Sequence, residues 1–153
     1  MSQLLDPIRR ADVEAVRDLL ADNPQLANQP IAANPAEQTN AMQTPLHLAM
    51  PGDGRELRPS HVEIARLLIG AGAEIDAAGH GPNHGICSPL SLAAWGGHIS
   101  LVALLLQHGA QANGLNETAP QHCPLQTAAN HGHAEAARLL IDAGAQHGLA
   151  ELI

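Results

Sequence analysis

Residues 44–49 read Thr-Pro-Leu-His-Leu-Ala, and this stretch decides the fold because the chain repeats it. Residues 88–93 read Ser-Pro-Leu-Ser-Leu-Ala, and residues 123–128 read Cys-Pro-Leu-Gln-Thr-Ala. A hydroxyl side chain before the proline can accept a hydrogen bond from the first turn of a helix, and proline loses nothing at the first helical position. Each copy therefore predicts the start of a short helix with a buried leucine.

A second helical pattern follows each copy and ends at a glycine. Apolar residues recur at helical spacing in residues 64–69, 101–106 and 136–141. The glycines that end these patterns are Gly72, Gly109 and Gly144, and Gly97 and Gly132 end the first helix of the two later units. Glycine readily adopts the left-handed conformation found at helix ends. Because neither helix of a pair can bury its apolar face alone, the units must stack.

This pattern closely resembles the ankyrin repeat, whose hallmark is Thr-Pro-Leu-His-x-Ala with a period of about 33 residues. A weaker unit precedes the three matched ones, because residues 12–20 read as a second helix and Leu4 stands where Leu46 would fall. The resemblance covers essentially the whole chain. It implies an all-α solenoid of about four stacked helix-turn-helix units with projecting hairpin loops. We expect one domain over residues 1–153, with units at roughly 1–38, 39–82, 83–117 and 118–153.

The composition favours the same class and restricts the partners. The chain is 45% hydrophobic but has one Trp and no Phe or Tyr, so its core consists of aliphatic residues that suit close helix packing. Its net charge is −8 and it contains no lysine, so it lacks the basic patch that nucleic acids or anionic membranes require. We therefore expect a partner with a neutral or basic surface.

The expected cellular location of the protein follows from the lack of a membrane-spanning run and of a signal-peptide pattern in the sequence. No apolar run approaches the ~20 residues that span a bilayer, and the N-terminal residues do not read as a signal peptide. Cys87 and Cys123 belong to different units, so we expect two free thiols rather than a disulfide. These observations indicate a reduced, monomeric protein of the cytoplasm.

Several loops exceed the repeat period. Thr44 and Ser88 are 44 positions apart, about eleven more than one period. About seven of the surplus residues lie between the paired helices, in residues 50–60, and about four lie in the hairpin of residues 77–87. The hairpin of residues 29–43 is longer still. Long loops in compact domains often carry function, but loop drift also costs little entropy, so both explanations remain open.

The resemblance implies that partners contact the hairpin tips and the exposed side of the first helices. On this sequence, the predicted partner-binding residues are Asn40, Gln43, His84, Cys87, Trp95, His122, Asn130 and His131. Trp95 is the only Trp, and the repeat does not need it for its core. Exposed tryptophans are enriched among interface hot spots. The alternative is that Trp95 packs beneath residues 50–60, since tryptophan is usually well buried.

The histidines allow two interpretations. Five of them lie where ankyrin repeats commonly place histidine, which implies hydrogen bonds that brace adjacent loops: His47, His61, His98, His108 and His133. His84 and Cys87 share one hairpin, and His122 holds the matching position in the next, so these three are candidate Zn²⁺ or Cu ligands. Neighbouring units lie too far apart for easy joint coordination, and the spacing lacks the C-x-x-C pattern. We therefore predict no metal and no cofactor.

No catalytic motif stands out in the chain. It contains no nucleophile elbow, no phosphate-binding loop and no H-E-x-x-H sequence. We therefore predict a non-enzymatic protein-interaction module, an adaptor, inhibitor or chaperone-like binder that uses the concave groove and the hairpin tips. The alternatives are a metal-dependent activity at the His/Cys cluster, and a pH- or redox-sensing interaction protein that uses the hairpin histidines and thiols.

Overall fold

The computed structural model describes residues 3–32, 42–51, 56–80, 86–113 and 123–145. Within these ranges the helices come in successive pairs. The pairs are α1 (Leu5–Arg9) with α2 (Val13–Asp22), α3 (Pro45–Leu48) with α4 (Pro59–Gly70), α5 (Pro89–Gly96) with α6 (Ile99–Gln107), and α7 (Pro124–Asn130) with α8 (Ala134–Asp142). A 3-10 helix, Pro24–Asn28, follows α2. The prediction of an all-α repeat fold is confirmed.

Two minimal antiparallel ladders join the first three pairs. Strand β1 (Ile31–Ala32) pairs with β2 (Met42–Gln43), and β3 (Gly79–His80) pairs with β4 (Ile86–Cys87). Ile31 lies opposite Gln43, and Gly79 lies opposite Cys87. Each strand has two residues, so the hairpins connect the units without forming an extended sheet.

One core runs through all the units. The leucine after the proline in each matched unit, and its counterpart in the first unit, is at most 3% exposed: Leu4, Leu46, Leu90 and Leu125. A leucine of each second helix is at most 6% exposed: Leu20, Leu68, Leu105 and Leu140. All eight belong to a single hydrophobic cluster. Burying each such side chain contributes about 1.5–3 kcal/mol, so the stacking of units supplies the main driving force.

Buried or half-buried histidines join the three matched units to one another. The three hydrogen bonds run between His47 Nε2 and the Cys87 carbonyl at 3.1 Å, between His98 Nε2 and the Pro51 carbonyl at 3.0 Å, and between His133 Nε2 and the Trp95 carbonyl at 3.0 Å. The bracing role expected of these three histidines is confirmed. His61 instead accepts a hydrogen bond from the Arg58 backbone N–H, within its own unit, and His108 is exposed at the end of α6.

Two glycines make room for these imidazoles. A Cβ at Gly79 would lie 2.6 Å from the His47 ring, and a Cβ at Gly97 would lie 2.5 Å from the His133 ring. Gly97 also has a φ of +68°, in the left-handed region that favours glycine. The same position of the first unit is held by Ala11, which adopts a φ of +55° despite its side chain. The first unit therefore keeps the helix-ending geometry without the residue that suits it best.

Polar side chains fix the turns that follow the second helices. The Asn28 amide donates to the Gly72 carbonyl at 2.8 Å, and its oxygen accepts from the Glu74 backbone N–H at 2.7 Å. Asp76 Oδ1 accepts from the Gln111 backbone N–H at 3.0 Å. These contacts hold each turn against the corresponding turn of the next unit. None of the helices in the described ranges has the length and apolar character needed to cross a membrane.

Candidate binding groove

The first helices of three units surround an open cavity of about 790 Å³. We call it the Trp95 groove. The first unit lines it with residues 8–11, from α1 and the turn after it. The second unit contributes residues from β2, from α3, from the segment between α3 and α4, and from the start of α4: Gln43, His47, Leu48, Met50, Pro51, Glu56, Arg58 and His61. The third unit contributes Leu92 and Trp95 of α5. Part of the expanded loop of residues 50–60 therefore builds one wall of the groove.

Apolar side chains form the inner surface of the groove. Met50 is 7% exposed and Leu92 is 8% exposed, whereas Leu48 and Trp95 are half-buried. The charged lining residues are all exposed: Arg9, Arg10, Glu56 and Arg58. A partner entering the groove would therefore meet charge at its outside and aliphatic or aromatic surface deeper in.

His47 lines the groove as a neutral imidazole. Its Nδ1 accepts from the Thr44 backbone N–H at 3.3 Å and lies 2.8 Å from the Thr44 hydroxyl. Nε2 therefore carries the proton and donates it to the Cys87 carbonyl. Burial lowers the pKa of His47, while the hydrogen bond to Cys87 raises it to a smaller extent. The two ring nitrogens are thus both used within the fold.

His61, at the start of α4, also faces the groove. Burial lowers the pKa of this imidazole, and the neighbouring charges of Arg58 and His98 lower it further. Both histidines of the lining are therefore disfavoured as cations at neutral pH. The charge of the groove comes from its arginines and Glu56.

The indole of Trp95 is held in place from the next unit. Its Nε1–H donates to His131 Nε2 at 3.0 Å, and the two rings meet edge to face with centroids 6.1 Å apart. His131 Nδ1–H donates to the Thr127 carbonyl at 2.9 Å, which leaves Nε2 as the acceptor. The ring of His133 stacks on His131 with centroids 6.4 Å apart. Trp95 thus faces the groove on one side and is oriented by histidines on the other.

The predicted binding residues fall into three groups. Gln43 and Trp95 both line the groove, whereas His131 reaches it only through Trp95. Asn130 is exposed at the end of α7, where its Oδ1 accepts from Gln126 Nε2 at 2.7 Å. Three further predicted contacts, Asn40, His84 and His122, lie outside the described residues.

Cys87 needs a correction. Its side chain is 8% exposed, and burial raises the pKa of its thiol to about 11. A buried neutral thiol offers neither contact surface to a partner nor the thiolate that a metal needs. Cys87 and Cys123 form no disulfide, as expected, and both are buried. Within the described ranges, no three His, Cys, Asp or Glu residues are placed to hold a metal ion, and the candidate ligands His84 and His122 lie outside them.

Sequence reasoning missed the arginines of the groove. Arg9 and Arg10 are adjacent at the end of α1, and Arg58 immediately precedes α4. The signal in the sequence was an Arg-Arg pair in the first unit and a further arginine in the expanded loop. Only the stacking of the first unit on the second brings these two segments around one cavity.

Comparison with known proteins agrees with the repeat pattern. The sequence profile of ankyrin repeats, in three copies, matches residues 61–150. The chain is 33% identical over 105 residues to the ankyrin repeat and KH domain-containing protein mask-1 of Caenorhabditis elegans, covering 69% of this chain and 4% of that protein. It is 33% identical over 114 residues to the putative ankyrin repeat protein FPV014 of Fowlpox virus (strain NVSL), covering 74% and 23%. It thus spans less than a quarter of either relative.

Proposed function

Because this chain belongs to the ankyrin-repeat family, we propose that it is an interaction module that holds a partner protein in the Trp95 groove. Ankyrin repeats are in general protein–protein interaction modules, and the family is typically non-enzymatic. The role that we assign is therefore recognition, as an adaptor, an inhibitor or a chaperone-like binder, with no chemical step on the partner.

The observation that carries this proposal is the groove itself. Its volume of about 790 Å³ lies within the ~300–1,000 Å³ range of small-molecule sites, so it has room for a few side chains of a partner. Its lining includes Trp95, a side chain that the repeat core does not need and that presents a large rigid surface. The hydrogen bond from Trp95 to His131 fixes the indole before a partner arrives. Preorganisation of this kind reduces the entropy that binding costs.

The charge of the whole chain bears on how a partner approaches. A net charge of −8 attracts neutral or basic surfaces at long range and repels acidic ones. We therefore propose a partner whose overall surface is neutral or basic, bound by a monomer of this protein. Long-range attraction of this kind would weaken with ionic strength, because the screening length is about 8 Å at physiological salt.

Replacement of Trp95 tests the proposal. With a partner recovered by cross-linked capture, Trp95→Ala should weaken binding by at least about thirtyfold, which corresponds to about 2 kcal/mol for a central aromatic anchor. The affinity is measured by titration calorimetry. Arg138→Ala, an exposed residue of α8 that does not line the groove, serves as the control and should leave the affinity unchanged.

Circular dichroism of the variants separates binding from folding. Trp95→Ala must keep the helical spectrum of the wild type for the affinity loss to count, and Trp95→Phe supplies a variant that retains a ring. Unchanged affinity of Trp95→Ala for the partner would contradict the proposal. Loss of the helical spectrum in both variants would make Trp95 a packing residue and would contradict it equally.

A further inference from the structure

We propose that the Trp95 groove receives an acidic peptide segment of the partner, with carboxylates facing Arg10 and Arg58. This inference rests on the proposed function and names the chemistry of the segment that enters the groove. It concerns the local charge of the groove, whereas the net charge of the chain concerns the approach of the partner as a whole.

The groove is a basic region of an acidic protein. Of the seven arginines in the chain, three line the groove, and Glu56 is the acidic residue that lines it among the described residues. Three arginines against one glutamate give the lining a net charge of +2, whereas the chain as a whole carries −8.

The acidic residues are concentrated on other elements. Helices α3, α5 and α7, the first helices of the three matched units, contain no Asp or Glu. The second helices carry exposed carboxylates: Glu14, Asp18 and Asp22 on α2, Glu63 on α4, and Glu135 and Asp142 on α8. Most carboxylates of the described helices therefore lie on the second helices, whereas Asp6 of α1 and Asp12, which caps α2, flank the groove-lining residues 8–11 in the sequence.

The arginines are placed to meet a partner. Arg9, Arg10 and Arg58 are all exposed. Neither Arg10 nor Arg58 forms an ion pair with a carboxylate in the described part of the chain, in contrast to Arg17, whose guanidinium contacts Glu14 at 2.6 Å. Guanidinium groups bind carboxylates through paired, charge-assisted hydrogen bonds, so these side chains suit aspartate or glutamate.

The apolar lining adds a second requirement. Leu48, Leu92 and Trp95 line the same groove and offer no charge to an anion. A ligand that used only the arginines, such as inorganic phosphate, would leave this surface in water. The segment that fits both features has an aliphatic or aromatic side chain flanked by acidic residues. Charge complementarity then selects the segment, and the apolar contact supplies much of the affinity.

Trp95 provides the measurement, because it is the only Trp of the chain and its fluorescence reports on the groove alone. The purified protein is titrated with three synthetic peptides of equal length, each with a central leucine flanked by Glu, Gln or Lys. The Glu peptide should shift the Trp95 emission saturably, with a Kd at least about tenfold below that of the Lys peptide. Added salt should weaken the Glu peptide and spare the Gln peptide.

Charge reversal assigns the effect to the arginines. Arg10→Glu and Arg58→Glu should each weaken the Glu peptide by roughly fivefold or more, and the double variant should prefer the Lys peptide. Arg138→Glu makes the same charge change on α8 and should leave all three affinities unchanged. If a reversal variant loses its helical spectrum, Arg10→Gln and Arg58→Gln replace it, with the same direction expected.

The outcomes distinguish this inference from the proposed function. Equal or tighter binding of the Lys peptide, or reversal variants that bind the Glu peptide normally, would overturn the acidic-segment inference. Absence of any emission change with all three peptides would overturn it as well. In each of these cases the proposed function is judged separately, by the affinity of Trp95→Ala for the whole partner protein.

Discussion

At the scale of single residues, the chain uses histidine as a fixed neutral connector. His47 is 2% exposed, accepts at Nδ1 from Thr44 and donates at Nε2 to the carbonyl of Cys87 in the next unit. Protonation would place a second N–H against the Thr44 N–H, so the charged form loses an acceptor and gains a donor with no partner. Burial of the ring is the main cause of the lowered pKa of His47, and the hydrogen bond to Cys87 raises this pKa to a smaller extent.

His47 should make stability depend on pH. Its folded pKa lies below the ordinary value of 6.5, so the unfolded chain binds more protons between these two values. The free energy of unfolding should therefore be greatest above pH 6.5, should fall as the pH drops from 6.5 to the folded pKa, and should level off below that pKa. Urea denaturation at several pH values measures the profile. His47→Gln should be less stable at pH 7.5, with a shallower fall toward pH 5.

A control separates this effect from general acid sensitivity. Gln107→Ala changes an exposed, non-titrating residue of α6 and should keep the wild-type profile. If His47→Gln lost stability with falling pH as steeply as the wild type does, the titration of His47 would not account for the pH dependence of stability. His61, whose pKa is also lowered by burial, would then be the next residue to replace.

At the scale of elements, the start of each first helix determines how firmly its unit is held. The Ser88 hydroxyl accepts from the Ser91 backbone N–H at 3.2 Å and caps α5. Cys123 occupies the same place before α7, and its side chain makes no capping hydrogen bond. Sulfur is a weak acceptor, so the first-turn N–H groups of α7 lack the partner that serine gives to α5.

We expect Cys123→Ser to stabilise the last unit. A serine cap is worth about 1 kcal/mol over a side chain that cannot cap, and the buried serine at position 88 shows that the site accepts a hydroxyl. For a domain of this size the melting temperature should rise by roughly 2–4 °C. Ser88→Cys provides the matched reverse exchange and should lower it. A lower melting temperature for Cys123→Ser would show that the thiol contributes more through packing than the cap would add.

The expanded loop between α3 and α4 also belongs to this scale. Pro51, which follows Met50 in this loop, accepts a hydrogen bond at its carbonyl from the buried ring of His98. This part of the loop is therefore attached to the next unit of the repeat. Glu56 and Arg58 from the same segment line the groove. Random lengthening of a loop does not account for these contacts, because Pro51 is bonded to the third unit and Glu56 and Arg58 form part of the groove lining.

At the scale of the whole molecule, stability should be graded along the stack. Each unit packs only on its neighbours, so the central units have a partner on both sides and the terminal units on one. Amide hydrogen exchange followed by mass spectrometry should show the slowest exchange in α4, α5 and α6 and the fastest in α1 and α8. Equal protection of all these helices would mean that the domain opens as a single cooperative unit.

The sequence by itself determined the repeat, the helix pairs, the buried leucines and the inter-unit histidines. These features depend on local rules that act over a few residues. Examples are the proline at a helix start, the leucine two positions after the capping residue, and the glycine that ends a helix. It also singled out Gln43 and Trp95, which line the groove, and their role in binding stays a prediction. It was wrong about the exposure of Cys87. Which of the two side chains of a two-residue strand is buried depends on the elements that pack against the strand, and the sequence alone does not show them.

The tertiary structure alone decided the chemistry of the groove. Arg9 and Arg10 are separated from Arg58 by almost fifty positions and from Trp95 by more than eighty, and no local pattern relates them. The stacking of α1, α3 and α5 brings them around one cavity, whereas most of the helical carboxylates lie on the second helices. Net charge is a sum over the sequence, whereas a binding surface responds to the charges within a Debye length, and only the fold selects which charges those are.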